Sequence, residues 1–170
     1  MERKTLRKWF WAWDFDKEEE WLEELARNGW VLDGVSFCTY HFLKAEPDEY
    51  SVRLQYLPIA EESSDYSSLL EESGVERVGR MVQWVYYRKK TADGPFEIFS
   101  DLDSRIGHLE KIARLMLIFA ICNMLIGVLN TLKPGCLGWI NLLCASLLTY
   151  GLGRIHGKKE ALEKERRFRE

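Results

Sequence analysis

Two stretches without a charged residue dominate what this chain can become. Residues 115–132 read LMLIFAICNMLIGVLNTL and residues 134–153 read PGCLGWINLLCASLLTYGLG, with only Lys133 between them. A bilayer core of ~30 Å takes about 20 apolar residues at 1.5 Å each, so either run is long enough for a spanning helix. The alternative is a helical hairpin buried in a soluble core. The remainder of a 170-residue chain offers little surface to cover two helices that are apolar all round. Two spans joined by a tight turn are therefore expected.

Charge orients that hairpin. Residues 1–111 hold 15 basic and 23 acidic side chains, and residues 112–153 only Arg114 and Lys133. Residues 154–170 hold seven basic against four acidic. Arg105, Lys111 and Arg114 precede the first run, and Arg154, Lys158 and Lys159 follow the second. The turn has a single lysine, so the positive-inside rule puts both termini in the cytoplasm of a multi-pass protein of the cell membrane. Arg105, His108, Lys111, Arg114, Trp139, Tyr150 and Arg154 then sit at the membrane interface. Within the runs Asn123, Gly127 and Thr131 recur every fourth residue, as do Ala145, Thr149 and Gly153. Small residues at that spacing let helices approach closely. The two stripes either meet within the hairpin or receive another membrane protein. The tail over 154–170 reads as a short charged helix at the membrane surface.

The first hundred residues carry a different pattern. LRKWFWAWDF, residues 6–15, places Trp9, Trp11, Trp13 and Phe15 on one face of a strand, with core packing as their first role and a ligand platform as the alternative. Asp16 then reads as a helix N-cap with Glu19 completing a capping box. Trp21, Leu22, Leu25 and Ala26 supply the apolar side, and Asn28-Gly29 the stop. Strands follow over 30–36, 38–45 and 50–57. A three-residue turn between the last two would bring Tyr40 and Phe42 onto the face of Val52 and Leu54, and a four-residue turn His41 instead; the hydrophobic pattern favours the first. A short helix over 66–73, capped by Ser64 or Asp65, precedes a long strand over 81–90.

The order β-α-β-β-β-α-β predicts an α+β domain over 1–99: an antiparallel sheet with two helices, ferredoxin-like or a near variant. Its second sheet face gathers Phe10, His41, Arg53 and Gln55 as a candidate ligand face. A junction helix over 100–114, with Ser100 as its cap, runs unbroken into the membrane hairpin of 115–153.

Other function classes find little footing. The four cysteines have neither metal-ligand spacing nor a histidine cluster, so no metal or disulfide framework is expected. The N-terminal stretch lacks the continuous apolar run of a cleavable signal. No nucleophile elbow, phosphate loop, zincin or dinucleotide fingerprint is present, and no cofactor is implied. The acidic balance of residues 1–111 repels phosphate, which argues against direct nucleic-acid binding.

KWFWAWDFDKEEEWLEELARNGW, YSVRLQYL, WVYYRKK and PFEIFSDLDSRIGHLEKI together resemble the domain-of-unknown-function family DUF2812 of Gram-positive bacteria, over roughly residues 1–115. The resemblance implies an N-terminal domain followed by a variable number of membrane spans, often encoded beside PadR-type transcriptional regulators, and it transfers no catalytic residue. The expectation is a membrane-anchored, non-enzymatic regulatory adaptor. Its acidic cytoplasmic domain would bind a protein partner, a PadR-like regulator or a transporter subunit, with homo-oligomers also open. The alternative is a small-molecule sensor using Phe10, His41, Arg53 and Gln55.

Overall fold

A computed structural model describes residues 2–132 and 137–169. The chain divides into two compact units, Met1–Ile98 and Phe99–Glu170. The first is mixed α+β and the second is helical.

The N-terminal unit comprises β1 (Arg3–Arg7), α1 (Phe15–Arg27), β2 (Trp30–Ser36), β3 (Thr39–Lys44), β4 (Tyr50–Tyr56), α2 (Ser64–Glu72), β5 (Val75–Met81) and β6 (Trp84–Lys90). In place of the single expected sheet there are two antiparallel three-stranded sheets, ordered β1-β3-β2 and β4-β6-β5. The two halves repeat one plan, strand-helix-strand-strand, with the third strand between the first two.

The registers repeat as well. Trp30↔Lys44, Gly34↔His41 and Ser36↔Thr39 recur 45 positions on as Val75↔Lys89, Gly79↔Tyr86 and Met81↔Trp84. Each second strand bulges just before its glycine, between Leu32 and Gly34 and between Arg77 and Gly79. Each helix stops at a glycine with positive φ, Gly29 at 76° and Gly74 at 78°, a conformation that a Cβ disfavours. The sheets come close at Gly79, where an added Cβ would lie 3.6 Å from Val35.

Alternation decides which strands the sequence reveals. Tyr40 and Phe42 on β3, and Val52 and Leu54 on β4, point inward and meet in one core with Leu22, Leu32 and Tyr86. They do so from different sheets, because β3 pairs with β1 and β2 while β4 pairs with β6. A second cluster gathers Leu57, Val75, Val85, Tyr87 and Phe96, with Tyr66 and Leu70 of α2 against it.

Several local expectations are corrected. β1 ends at Arg7, so Trp9, Trp11, Trp13 and Phe15 share no strand. Trp13 is buried in a short 3-10 turn over Ala12–Asp14, whereas Trp9 and Trp11 are exposed. Trp11 stacks on Trp13 with centroids 4.9 Å apart, so the rings satisfy one another around a turn. The strand expected over 81–90 starts at Trp84, because Val82, at φ 58°, turns the chain back onto β5. α1 begins at Phe15 after Asp14, without a side-chain cap, and Glu19 reaches another strand instead of completing a capping box. Ser63, not Ser64 or Asp65, caps α2 by accepting from the Tyr66 amide at 3.2 Å. Asp101, not Ser100, caps the next helix by accepting from the Ser104 amide at 2.7 Å.

The second unit consists of α3 (Leu102–Thr131) and α4 (Gly138–Arg169). α3 is unbroken from the junction through the first apolar run, and it is long and apolar enough to cross a membrane. Among the described residues it alone meets that measure. The turn at 133–136 lies outside the described residues. The helices run antiparallel along one seam: Gly127 faces Leu142, Glu110 faces Lys159 and Asp103 faces Arg166. The buried residues Ile106, Leu109, Met116, Ala120 and Gly127 mark that seam on α3, close to the spacing of an antiparallel coiled coil. The tail over 154–170 is therefore no separate helix. It continues α4 and packs back along the polar half of α3.

Candidate functional site

α1 carries more charge inward than a surface helix usually does. Glu18 is 5% exposed and accepts hydrogen bonds from the Tyr40 hydroxyl at 2.7 Å and the Tyr86 hydroxyl at 2.5 Å. Tyr40 belongs to β3 and Tyr86 to β6, so one carboxylate ties the helix to both sheets. Burial pushes the Glu18 carboxyl above its ordinary range, and the two hydroxyls pull the other way. Both phenols are pushed up, by burial first and then by the carboxylate beside them. With both donors engaged, the group acts as a clamp between elements.

The same helix also closes the open edge of β4. The Leu54 amide donates to Glu19 at 2.8 Å and the Val52 amide donates to Glu23 at 3.0 Å. These amides point away from β6, and an uncovered edge of this kind invites pairing with another chain. The Arg53 guanidinium bonds Glu23 and lies 3.8 Å from Glu19 and from Glu97. Burial raises the Glu19 carboxyl to about 7, against the pull of the Leu54 amide and Arg53. The outer face of α1 presents Asp16, Glu20 and Glu24, all exposed and four residues apart. Around α2, Glu61, Asp65, Glu71 and Glu72 are exposed too. Both helices of the N-terminal unit thus carry an exposed acidic surface.

The expected ligand face is dispersed. His41 lies on β3, where its Nδ1 is 3.1 Å from the Thr5 hydroxyl. Arg53 and Gln55 lie on β4 in the other sheet. Arg53 is held by carboxylates, and Gln55 accepts from the Tyr66 hydroxyl at 3.1 Å. Phe10 packs against Trp21 at 5.6 Å and Tyr40 at 6.5 Å. The structure brings Arg53 and Gln55 together on one strand but unites neither with His41 or Phe10. Sequence reasoning missed Glu18, Glu19 and Glu23 as links between α1 and the strands, with Glu19 read only as half of a capping box. Their one signal was three carboxylates interleaved with Trp21, Leu22 and Leu25 on a single helix.

In the second unit Arg105, Lys111, Arg114 and Arg154 are exposed, as are Trp139 and Tyr150. His108 is not exposed. It is 7% accessible, with the Phe99 ring 4.7 Å away, and burial followed by the nearby Lys111 lowers its pKa to about 4. A neutral imidazole brings no charge to a lipid surface. Of the small residues, Gly127 and Ala145 are buried. A Cβ at Gly127 would meet Leu142 at 2.7 Å, so the glycine allows the helices to touch. Thr131 and Thr149 donate to carbonyls of their own helices, Asn123 donates to the Phe119 carbonyl at 2.9 Å, and Gly153 faces open space. Among the described residues no group of three or more His, Cys, Asp or Glu could hold a metal ion.

The sequence pattern of the family described as a protein of unknown function (DUF2812) matches residues 14–121, and the chain belongs to that family. It has no match among curated proteins or among solved structures.

Proposed function

We propose that this DUF2812 member is a membrane-anchored, non-enzymatic regulatory adaptor. In this reading α3 and α4 cross the bilayer as a two-span hairpin with both termini in the cytoplasm. The N-terminal unit offers its acidic helix surfaces to a basic face of a protein partner, a PadR-like regulator or a transporter subunit. The observation that carries the reading is the change in character along one helical seam. Over Leu117–Leu132 and Leu137–Tyr150 most of the exposed residues are apolar, among them Phe119, Leu125, Leu129, Leu143 and Leu147. Farther along the same seam Lys159 pairs with Glu110 and Arg166 with Asp103, each at 2.6 Å. Exposed apolar surface of that extent is stable in lipid and a liability in water. The charged half suits the aqueous side, where lysine and arginine favour the cytoplasm.

The dispersal of Phe10, His41, Arg53 and Gln55, each engaged elsewhere, favours the adaptor over the small-molecule sensor. The test is purification of the tagged full-length protein from native membranes in mild detergent, beside a variant with Asp16, Glu20 and Glu24 changed to lysine. A stoichiometric partner recovered with the wild type and lost from the variant is expected. Recovery of the chain alone, or of the same companions with both proteins, would overturn the reading.

A further inference from the structure

The adaptor reading leaves one surface of the N-terminal unit without a role. At the end of the β1-β3-β2 sheet, Trp9 is 55% exposed and Phe37 is 71% exposed, with ring centroids 6.0 Å apart. Trp11 joins them edge-on at 5.5 Å. Phe37 is held out at the tip of the β2-β3 turn, where Cys38 takes φ 53°, a left-handed conformation uncommon for a residue with a Cβ. The Lys8 amide donates to the Cys38 carbonyl at 3.1 Å, which fixes the tip against the segment bearing the tryptophans. Arg7, Lys8, Trp9, Phe37 and Thr39 line one shallow cleft.

Charge on this segment runs against the rest of the unit. Residues 1–11 carry Arg3, Lys4, Arg7 and Lys8 against Glu2 alone. Lys8 lies 4.6 Å over the Trp21 ring, while Arg3 and Arg7 project from exposed positions of β1. Exposed tryptophan and phenylalanine bordered by arginine and lysine match the headgroup region of an anionic bilayer, which takes flat amphipathic rings at its boundary and basic side chains at its phosphates. Only residues 99–101 separate this unit from α3, so anchorage through α3 would tether the unit to the bilayer.

We propose that Trp9, Trp11 and Phe37, flanked by Arg7 and Lys8, form a docking surface for the headgroup layer of an anionic membrane. The N-terminal unit then has two lipid-dependent states, docked and released, and the charge of the leaflet sets their balance. This rests on anchorage through α3.

The test uses the full chain without native cysteines, spin-labelled at Phe37→Cys and reconstituted into phosphatidylcholine vesicles with or without phosphatidylglycerol. Oxygen and a neutral nickel chelate report exposure to lipid and to water. A second label at Leu125→Cys reports the anchor and is expected to favour oxygen in both vesicles. At position 37 the expected result is loss of nickel access and gain of oxygen access with phosphatidylglycerol, reversed by R7Q/K8Q. Equal nickel access at position 37 in both vesicles would overturn the docking surface while the Leu125 label upholds the anchor. Shielding from both reagents, regardless of lipid, would also overturn it and point to a protein contact. A water-exposed label at Leu125 would instead overturn the anchor.

Discussion

In the N-terminal unit Leu22, Tyr40, Phe42 and Tyr86 are almost closed to solvent, whereas along α3 Leu117, Phe119 and Leu125 are about half exposed and the small Ala120 and Gly127 are buried. The first arrangement is what water selects: large apolar groups inside, with carboxylates brought in only where hydroxyls and amides receive them. The second is what a helix pair adopts when apolar groups are equally at ease outside, so that close backbone approach decides the interface. The contrast extends to polar groups. Glu18, Glu19 and Glu23 join α1 to strands distant in sequence, while Thr131, Ser146 and Thr149 return their hydroxyls to their own helices.

The contrast can be broken first at Leu22. Leu22→Ala removes a side chain that is 1% exposed at the meeting of both sheets, and loss of ~2–5 kcal/mol is expected for such a cavity. Urea unfolding followed by tryptophan fluorescence measures it. Leu117→Ala, at an outward position, should leave that transition unmoved; equal losses would erase the distinction between the units. At Gly127→Leu the opposite error is made. The added side chain meets Leu142 and should cost roughly 1–3 kcal/mol of hairpin stability by overpacking. Cross-linking yield between cysteines placed at 110 and 159 reads the separation, and an unchanged yield would show that the seam is not tightly packed.

pH gives the smallest and sharpest test, because the two units should respond with opposite sign. Glu19 has a folded pKa raised to about 7. The folded state therefore holds more protons than the unfolded state between the ordinary carboxylate range and 7, and stability falls as pH rises through that window. Its side chain keeps 29% of its surface in solvent, which blunts the slope. His108 is lowered to about 4. There the unfolded state holds more protons, so stability rises with pH between about 4 and 6.5. Unfolding midpoints across pH 4–8 should lose the falling component in Glu19→Gln and the rising one in His108→Phe. The same profile in both variants would remove the assignment.

Much of the architecture was visible in the chain. The alternation of Val52 and Leu54 with Arg53 and Gln55 marked β4, and Asn28-Gly29 marked the end of α1. What stayed hidden depended on distant partners. β5 reads VERVGRM, with few strongly apolar positions, and its bulge at Gly79 breaks the two-residue period. Without it the 45-residue repeat could not be seen. The alternating tryptophans imitated a strand because ring stacking in a turn and strand alternation both bring i and i+2 together. Glu19 satisfied a local capping pattern, while the amide that actually uses it lies 35 residues away.

Thiol labelling of intact cells tests the membrane hairpin most directly. The native Cys136, Glu2→Cys and Phe168→Cys are each placed alone in a cysteine-free background and exposed to a membrane-impermeant maleimide. The expected result is reaction at position 136 from outside the cell, with positions 2 and 168 reacting only after the membrane is opened. Reaction at either terminal position in intact cells, or protection of position 136 until lysis, would contradict the two-span hairpin with cytoplasmic ends.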